Sequence, residues 1–352
     1  MRLPISTPPV LGYQFYAFPL AITWHNVKAR AWIFSNFIQM CFDIPYQKSP
    51  VPFAFYLQDY ALSPWLKTQR MDREFFQMLN LDIVEFLRSC LNRQQYVYLN
   101  VDEYFIPRRS VYQNIHYSHD ILVYGYDAEG FDVAGFDERG IWAESRVSTT
   151  GMRRAYENLD HIPNFCHQIY TYQLLEDAPY VFDLQTVSNL LYEYRHGINT
   201  SRRQEMVHNP WSRAYGMHAY PHLRGFIRDV LEGRYKYDRR LLYSVWEHKR
   251  MMQLRLGYMN ALPGLQLAPD VLERADHIEN MSKTALYNFL YAERTQSQHK
   301  LTQVIALLDG IEYEERVLLD GLLQGPLAPY PPLFQATAQK HRPEGSVSVN
   351  LD

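Results

Sequence analysis

The stretch HYSHDILVYGYDAEGFDVAGFDERG, residues 116–140, decides how the chain is read. Ile121-Leu122-Val123-Tyr124 is short, β-prone and apolar on both faces, which predicts a strand. Asp127-Ala128-Glu129-Gly130 is a turn signal in which Gly130 is free to take a positive φ. Phe131 to Phe136 then carries the chain back to Asp137. A hairpin returns to its starting end, so His119 and Asp137 are expected at its open mouth, as a base and its orienting carboxylate. Parity leaves two outcomes. A two-residue loop at Ala128-Glu129 pairs His119 with Glu138 and turns Asp137 to the other face. A three-residue loop or one bulge brings His119 and Asp137 to one face. The competing reading is a plain hairpin whose ends are merely polar.

Outward from this stretch, the bulk properties set limits. The chain has 352 residues, 47% hydrophobic and 21% charged, which fits a globular protein with a substantial core. A formal net charge of −3 offers no basic field for nucleic acid. Aromatic residues reach 15%, with 28 Tyr, which points to tyrosine-lined clefts or interfaces. Cys41, Cys90 and Cys166 show neither metal-ligand spacing nor a disulfide framework. The opening MRLPISTPP lacks the apolar stretch of a signal peptide, and no apolar run of about 20 residues predicts a membrane span. A reducing, cytoplasmic compartment is expected.

Residues 1–22 read as Pro-rich and extended, and Asn26 to Cys41 as a buried helix. Asp72 to Leu91 reads as one helix capped by Asp72. Tyr96 to Val101 predicts a strand, leading through Asp102-Glu103-Tyr104-Phe105 to a loop at Pro107-Arg108-Arg109, and Ile141 to Val147 a third strand after the hairpin. Beyond Thr149 the periodicity is helical: from Thr150, from Asp183 to Tyr194, Ala214 to Leu231, Asp238 to Met259, Ala268 to Leu290 with a break, and Lys300 to Leu323. The expected architecture is an α+β domain over residues 1–150, an all-helical domain over 151–325 and a disordered tail over 326–352.

A buried helix, a second helix, a strand, then His–strand–turn–strand–Asp is the element order of papain-like cysteine enzymes. Tyr96–Phe105 (YVYLNVDEYF) and His119–Asp137 (HDILVYGYDAEGFDVAGFD) resemble peptidase-C39-like domains, most closely the family of butirosin biosynthesis protein H, N-terminal domain. Leu190–Arg195 (LLYEYR), Tyr215–Leu223 (YGMHAYPHL) and Trp246–Met252 (WEHKRMM) resemble segments of proteins encoded beside nonribosomal peptide and polyketide assembly lines. The resemblance implies a papain-like first domain and transfer of an acyl or aminoacyl group from a carrier protein to a small amine acceptor. It implies no bound cofactor, since the acyl group rides on the phosphopantetheine arm of the acyl or peptidyl carrier protein.

The pattern has a gap. A nucleophilic Cys should open the first helix near Trp24-His25-Asn26, and none stands there. Cys41 falls near the other end of that predicted helix, about 22 Å away at 1.5 Å per residue. Three readings follow. His119 acts as general base for direct attack of an amine on the thioester, oriented by Asp137. His25, at a helix N-terminus, supplies a second base or an oxyanion donor, against the plain alternative of a polar helix end. Or the fold is a noncatalytic binder of a carrier protein or synthetase module. C39-like amide hydrolysis is disfavoured by the missing thiol.

Other features carry weaker signals. WEHKRMM lacks the second His of an HEXXH zinc site, so helix packing is favoured for Glu247 and His248. Arg108-Arg109, Arg153-Arg154 and Arg202-Arg203 are candidate docking pairs for an acidic carrier, against ordinary surface charge. His208, His218 and His222 offer no carboxylate at metal spacing.

Overall fold

The computed structural model describes residues 1–56, 63–162, 166–200 and 212–328. Arg202-Arg203, His208 and nearly all of the expected tail lie outside these. Among the described residues the chain is α+β, with two antiparallel sheets and a helical C-terminal region.

The larger sheet has strand order β3-β8-β4-β5-β6-β7, from Leu66–Asp72, Gln168–Leu174, Gln95–Asp102, Ser118–Tyr126, Gly130–Phe136 and Trp142–Ser148. Its centre is apolar on one face and tyrosine-rich on the other. Tyr98 stacks on Tyr170 across the β4–β8 pair at 5.1 Å, and Phe18 meets Tyr98 edge-on at 5.0 Å. Phe18 belongs to α1, Gln14–Thr23, buried from Tyr16 to Thr23. A helix apolar all round can only sit inside, which is where α1 lies.

Residues 14–23 are therefore helical, not extended. The predicted helix Asn26–Cys41 is also corrected. Asn26 caps a short 3₁₀ turn, Val27–Ala29, followed by α2, Arg30–Asn36. Cys41 lies in β1, Met40–Asp43, which pairs with β2, Phe53–Phe55, and β9, Arg213–Tyr215. Asp72–Leu91 divides into α3, Arg73–Met78, and α4, Ile83–Asn92. The break comes at Asn80, with φ 52°, after which Asp82 begins a new helix by accepting the Glu85 N–H.

The expected boundary at residue 150 falls within the first turn of α5, Thr149–Glu157, which packs in the same core as β7. The segment 151–325 is not wholly helical. It contributes β8 to the large sheet and β9 to the small one, beside α6 (Leu184–His196), α7 (Tyr220–Leu231), α8 (Arg239–Asn260), α9 (Pro269–Thr295) and α10 (Gln298–Gln324). The predicted break in α9 is absent. The helical body shares its core with α2, β1 and β2, so both bodies draw on the first 60 residues. No helix among the described residues is long and apolar enough to cross a membrane.

Candidate functional site

The hairpin forms with one bulge, in a register that, if continued past its last pair, would bring His119 and Asp137 level. β5 and β6 pair Leu122 with Ala134, after a bulge between Val123 and Gly125. Leu122 lies three residues after His119, and Ala134 three before Asp137, so the same register continued would set those two opposite. Gly130 is not held at positive φ. It is small because a Cβ there would sit 2.1 Å from the Val147 carbonyl of β7.

Asp137 nonetheless does not orient His119. Its Oδ1 accepts the backbone N–H groups of Arg139 and Ile141, each at 2.9 Å, closing the turn into β7. Burial raises its pKa, but those two bonds and the charges of Arg108 and Arg139 prevail and hold it below the ordinary value. A carboxylate spent on its own turn is an Asx turn, which competes locally with any long-range partner.

Glu103 takes the place expected for Asp137. β4 and β5 pair Val101 with His119, and the Glu103 N–H donates to the Tyr117 carbonyl at 2.9 Å. Glu103 is thus diagonal to His119 across the strand pair, within reach of a long side chain. Its Oε1 lies 3.0 Å from His119 Nδ1 and 3.4 Å from Arg109 Nε. The Glu103 and Arg109 side chains are 6% and 1% exposed, against 33% for His119. Arg109 also donates to the Phe136 carbonyl, and Gly135 leaves room for it, since a Cβ there would meet its guanidinium at 2.6 Å.

The other edge of the imidazole faces α1. Gln14, the first residue of that helix, places its Nε2 2.6 Å from His119 Nε2. With Nδ1–H donated to Glu103, Nε2 carries the lone pair and accepts from the Gln14 amide. Burial lowers the His119 pKa, but the bond and charge of Glu103, with Asp120 behind, outweigh it and raise it overall. The site is therefore Arg109–Glu103–His119–Gln14.

His25 stands apart. It is an exposed residue just after the C-terminal end of α1, with its pKa lowered by partial burial. It precedes Asn26, the cap of the 3₁₀ turn Val27–Ala29, and the α-helix beyond begins only at Arg30. Cys41 and Cys90 are poor nucleophiles, with thiols pushed up by burial to about 12 and about 11. The docking pairs divide: Arg109 is internal, Arg153 pairs with Asp82, and Arg154 covers the Phe105 ring. Among the described residues no group of three or more His, Cys, Asp and Glu could hold a metal.

The WEHKRMM segment serves the site from a distance. Glu247 is buried, and its Oε1 accepts the N–H groups of Leu11 and Gly12 at 2.6 and 2.8 Å. Those residues lead directly into Gln14. Burial pushes the Glu247 carboxyl up to about 8. A second histidine missed by sequence reading, His116, binds the fully buried Asp102 at 2.6 Å through Nδ1 and stacks on Tyr104 at 4.2 Å. Nothing in the pattern flagged Gln14, whereas Glu103 stood in the quoted YVYLNVDEYF and His116 at the head of HYSHDILVYG, neither with a role assigned.

No family model matches the chain, and no curated protein matches it.

Proposed function

We propose that the His119 site is a general-base centre for acyl or aminoacyl transfer from a carrier-protein thioester to a small amine, on a papain-like N-terminal fold. The observation that carries this reading is His119 itself. Its Nδ1 is fixed by a buried carboxylate, its ring is partly open, and its Nε2 faces an amide at a helix N-terminus. The thioester donor and the fold name come from the sequence resemblance. The geometry supports the proton-transfer role.

In this mechanism the amine attacks the thioester carbonyl of the phosphopantetheine arm and forms the C–N bond. Its proton passes to His119 Nε2. The C–S bond then breaks, and the leaving thiolate recovers that proton from the imidazolium. Glu103 stabilises the imidazolium, consistent with the raised His119 pKa. Gln14, displaced from Nε2 by the acceptor, turns its amide N–H to the carbonyl oxygen as negative charge develops. No acyl-enzyme forms, so donor and acceptor must be bound together.

A second reading has its own observation. Gln14 already satisfies Nε2, the atom a base must keep available, and this favours a noncatalytic binder of a carrier or synthetase module. Intact-protein mass spectrometry of an acyl-loaded carrier, incubated with candidate amines, separates the two. Transfer predicts loss of acyl mass from the carrier and a matching gain on the amine, abolished by His119→Ala and lowered by Gln14→Ala. A carrier that stays loaded yet co-elutes with the protein establishes the binder.

A further inference from the structure

A cleft of about 470 Å³ lies between α3, the link from Asn80 to Asp82, and the C-terminal part of α5 with the 3₁₀ turn behind it, Asn158–His161. Its volume falls in the range of small-molecule sites, about 300–1,000 Å³. None of its lining residues belongs to the Arg109–Glu103–His119–Gln14 site.

Two of the lining side chains carry a buried polar atom whose bonding is unmet. Arg73 is 5% exposed, and its Nη2 donates to the Tyr156 carbonyl and to Asp160 Oδ1, each at 2.9 Å. Its Nη1 has no hydrogen-bond partner among the described residues, and neither has the Tyr156 hydroxyl. Tyr156 is 6% exposed, and the Arg73 guanidinium sits over its ring at 4.0 Å, so the two unmet groups belong to one stacked pair. Each such group costs stability while it stays unpaired. Two of them in the wall of one cleft point to an oxygen brought by a ligand.

Charge decides what else that ligand carries. Arg73 is paired with Asp160, and Arg153 with Asp82. Glu157 is exposed and makes no hydrogen bond or ion pair among the described residues. Two arginines thus face three carboxylates across the lining, one negative charge in excess. That excess opposes an anion and attracts an ammonium. Leu81, 44% exposed in the same lining, offers cover for a short hydrocarbon.

We propose that this cleft binds a small primary amine bearing a carbonyl oxygen, its ammonium on Glu157 and its oxygen on Arg73 Nη1 and the Tyr156 hydroxyl. Entry needs one side-chain movement. Gln77 is exposed, lines the cleft, and shares Asp160 with Arg73 through its amide at 3.2 Å, so swinging it aside opens the guanidinium edge. The proposal is independent of any reaction at His119.

The test is NMR titration of the full chain, read at the Ile83 methyl groups in the cleft wall. The probes are leucinamide, 4-methylpentanamide without the ammonium, 3-methylbutylamine without the carbonyl, and the anion 4-methylpentanoate. Leucinamide is expected to bind saturably, and the other three at least about tenfold more weakly, as loss of a hydrogen bond to a charged group requires. Glu157→Gln should weaken leucinamide about tenfold and leave 4-methylpentanamide unchanged. Tyr156→Phe should weaken leucinamide about threefold or more, while the melting temperature without ligand stays level or rises, because an unmet hydroxyl has been removed. A fall in that melting temperature means water already satisfies the hydroxyl, and overturns the proposal. It is equally overturned if leucinamide does not saturate, if any of the other three probes binds as tightly, or if Glu157→Gln binds leucinamide unchanged.

Discussion

Two histidines of this chain, His119 and His248, sit beside a carboxylate and a cation, and only the first is open to solvent. His248 lies in the helical body with Lys249, Glu315, Tyr194 and Tyr220, all buried. Its Nε2–H donates to the Ile38 carbonyl at 2.8 Å, and its Nδ1 accepts from Lys249 at 3.0 Å. Glu315 Oε1 pairs with Lys249 at 2.6 Å, while Oε2 accepts the Tyr220 and Tyr194 hydroxyls at 2.7 and 3.0 Å. Burial, with Lys249 alongside, drives the His248 pKa well down. At His119 the carboxylate wins instead and the pKa rises. The residue types are alike. What differs is which charge touches the ring, and whether solvent reaches it.

The largest effect should come from breaking the sealed cluster. Glu315→Ala leaves the Lys249 ammonium buried without its counter-charge and removes the acceptor of two tyrosines. Losing one partner of such a pair costs about 3–5 kcal/mol. Chemical denaturation should show a loss of that order with no change at the His119 resonances. A loss below about 1 kcal/mol would mean that the tyrosines and His248 neutralise Lys249 by themselves, and would remove the contrast drawn above.

Glu103→Gln should act on both stability and titration. The glutamine oxygen can still accept from His119 but brings no charge to it or to Arg109, so the cost is about 1.5–3 kcal/mol, the range for hydrogen bonds to charged groups. The pH dependence has a defined sign. His119 holds its proton more tightly folded than unfolded, so its contribution is complete below the unfolded value near 6.5. It disappears as pH rises through the folded value above that. In the variant this window should close, and NMR titration should show the His119 pKa falling. An unmoved pKa would take the orienting role away from Glu103.

The sequence carried the hairpin and much of the helical body, because their signals are local. Asp183 and Asp238 cap helices through their own backbone neighbours, and such caps are visible in one dimension. α1 was hidden because Pro19 and the prolines before it argue against a helix, yet burial of every face stabilises it. Gln168–Leu174 alternates like a strand, but it lies in a stretch whose helical neighbours dominate the pattern. The partners of His119 were hidden for a different reason. Its orienting carboxylate comes from the turn that follows β4, the other neighbour of β5, and its amide from a helix about 100 residues earlier in the chain. Neither distance leaves a trace in local spacing.

The smallest effect falls on Asp137, the residue that hairpin logic put first. Asp137→Ala removes two hydrogen bonds to the backbone N–H groups of Arg139 and Ile141, in a turn where water can replace them. The net cost of such bonds is about 0.5–1.5 kcal/mol each, and exposure puts the total toward the low end. Its charge also reaches Arg109, opposing the burial that lowers that group, so a slight weakening of the Arg109–Glu103 pair is expected. The His119 titration should move far less than in Glu103→Gln. If the two variants shifted it equally, Asp137 would act on the histidine through Arg109, and the turn would have to be counted as part of the site.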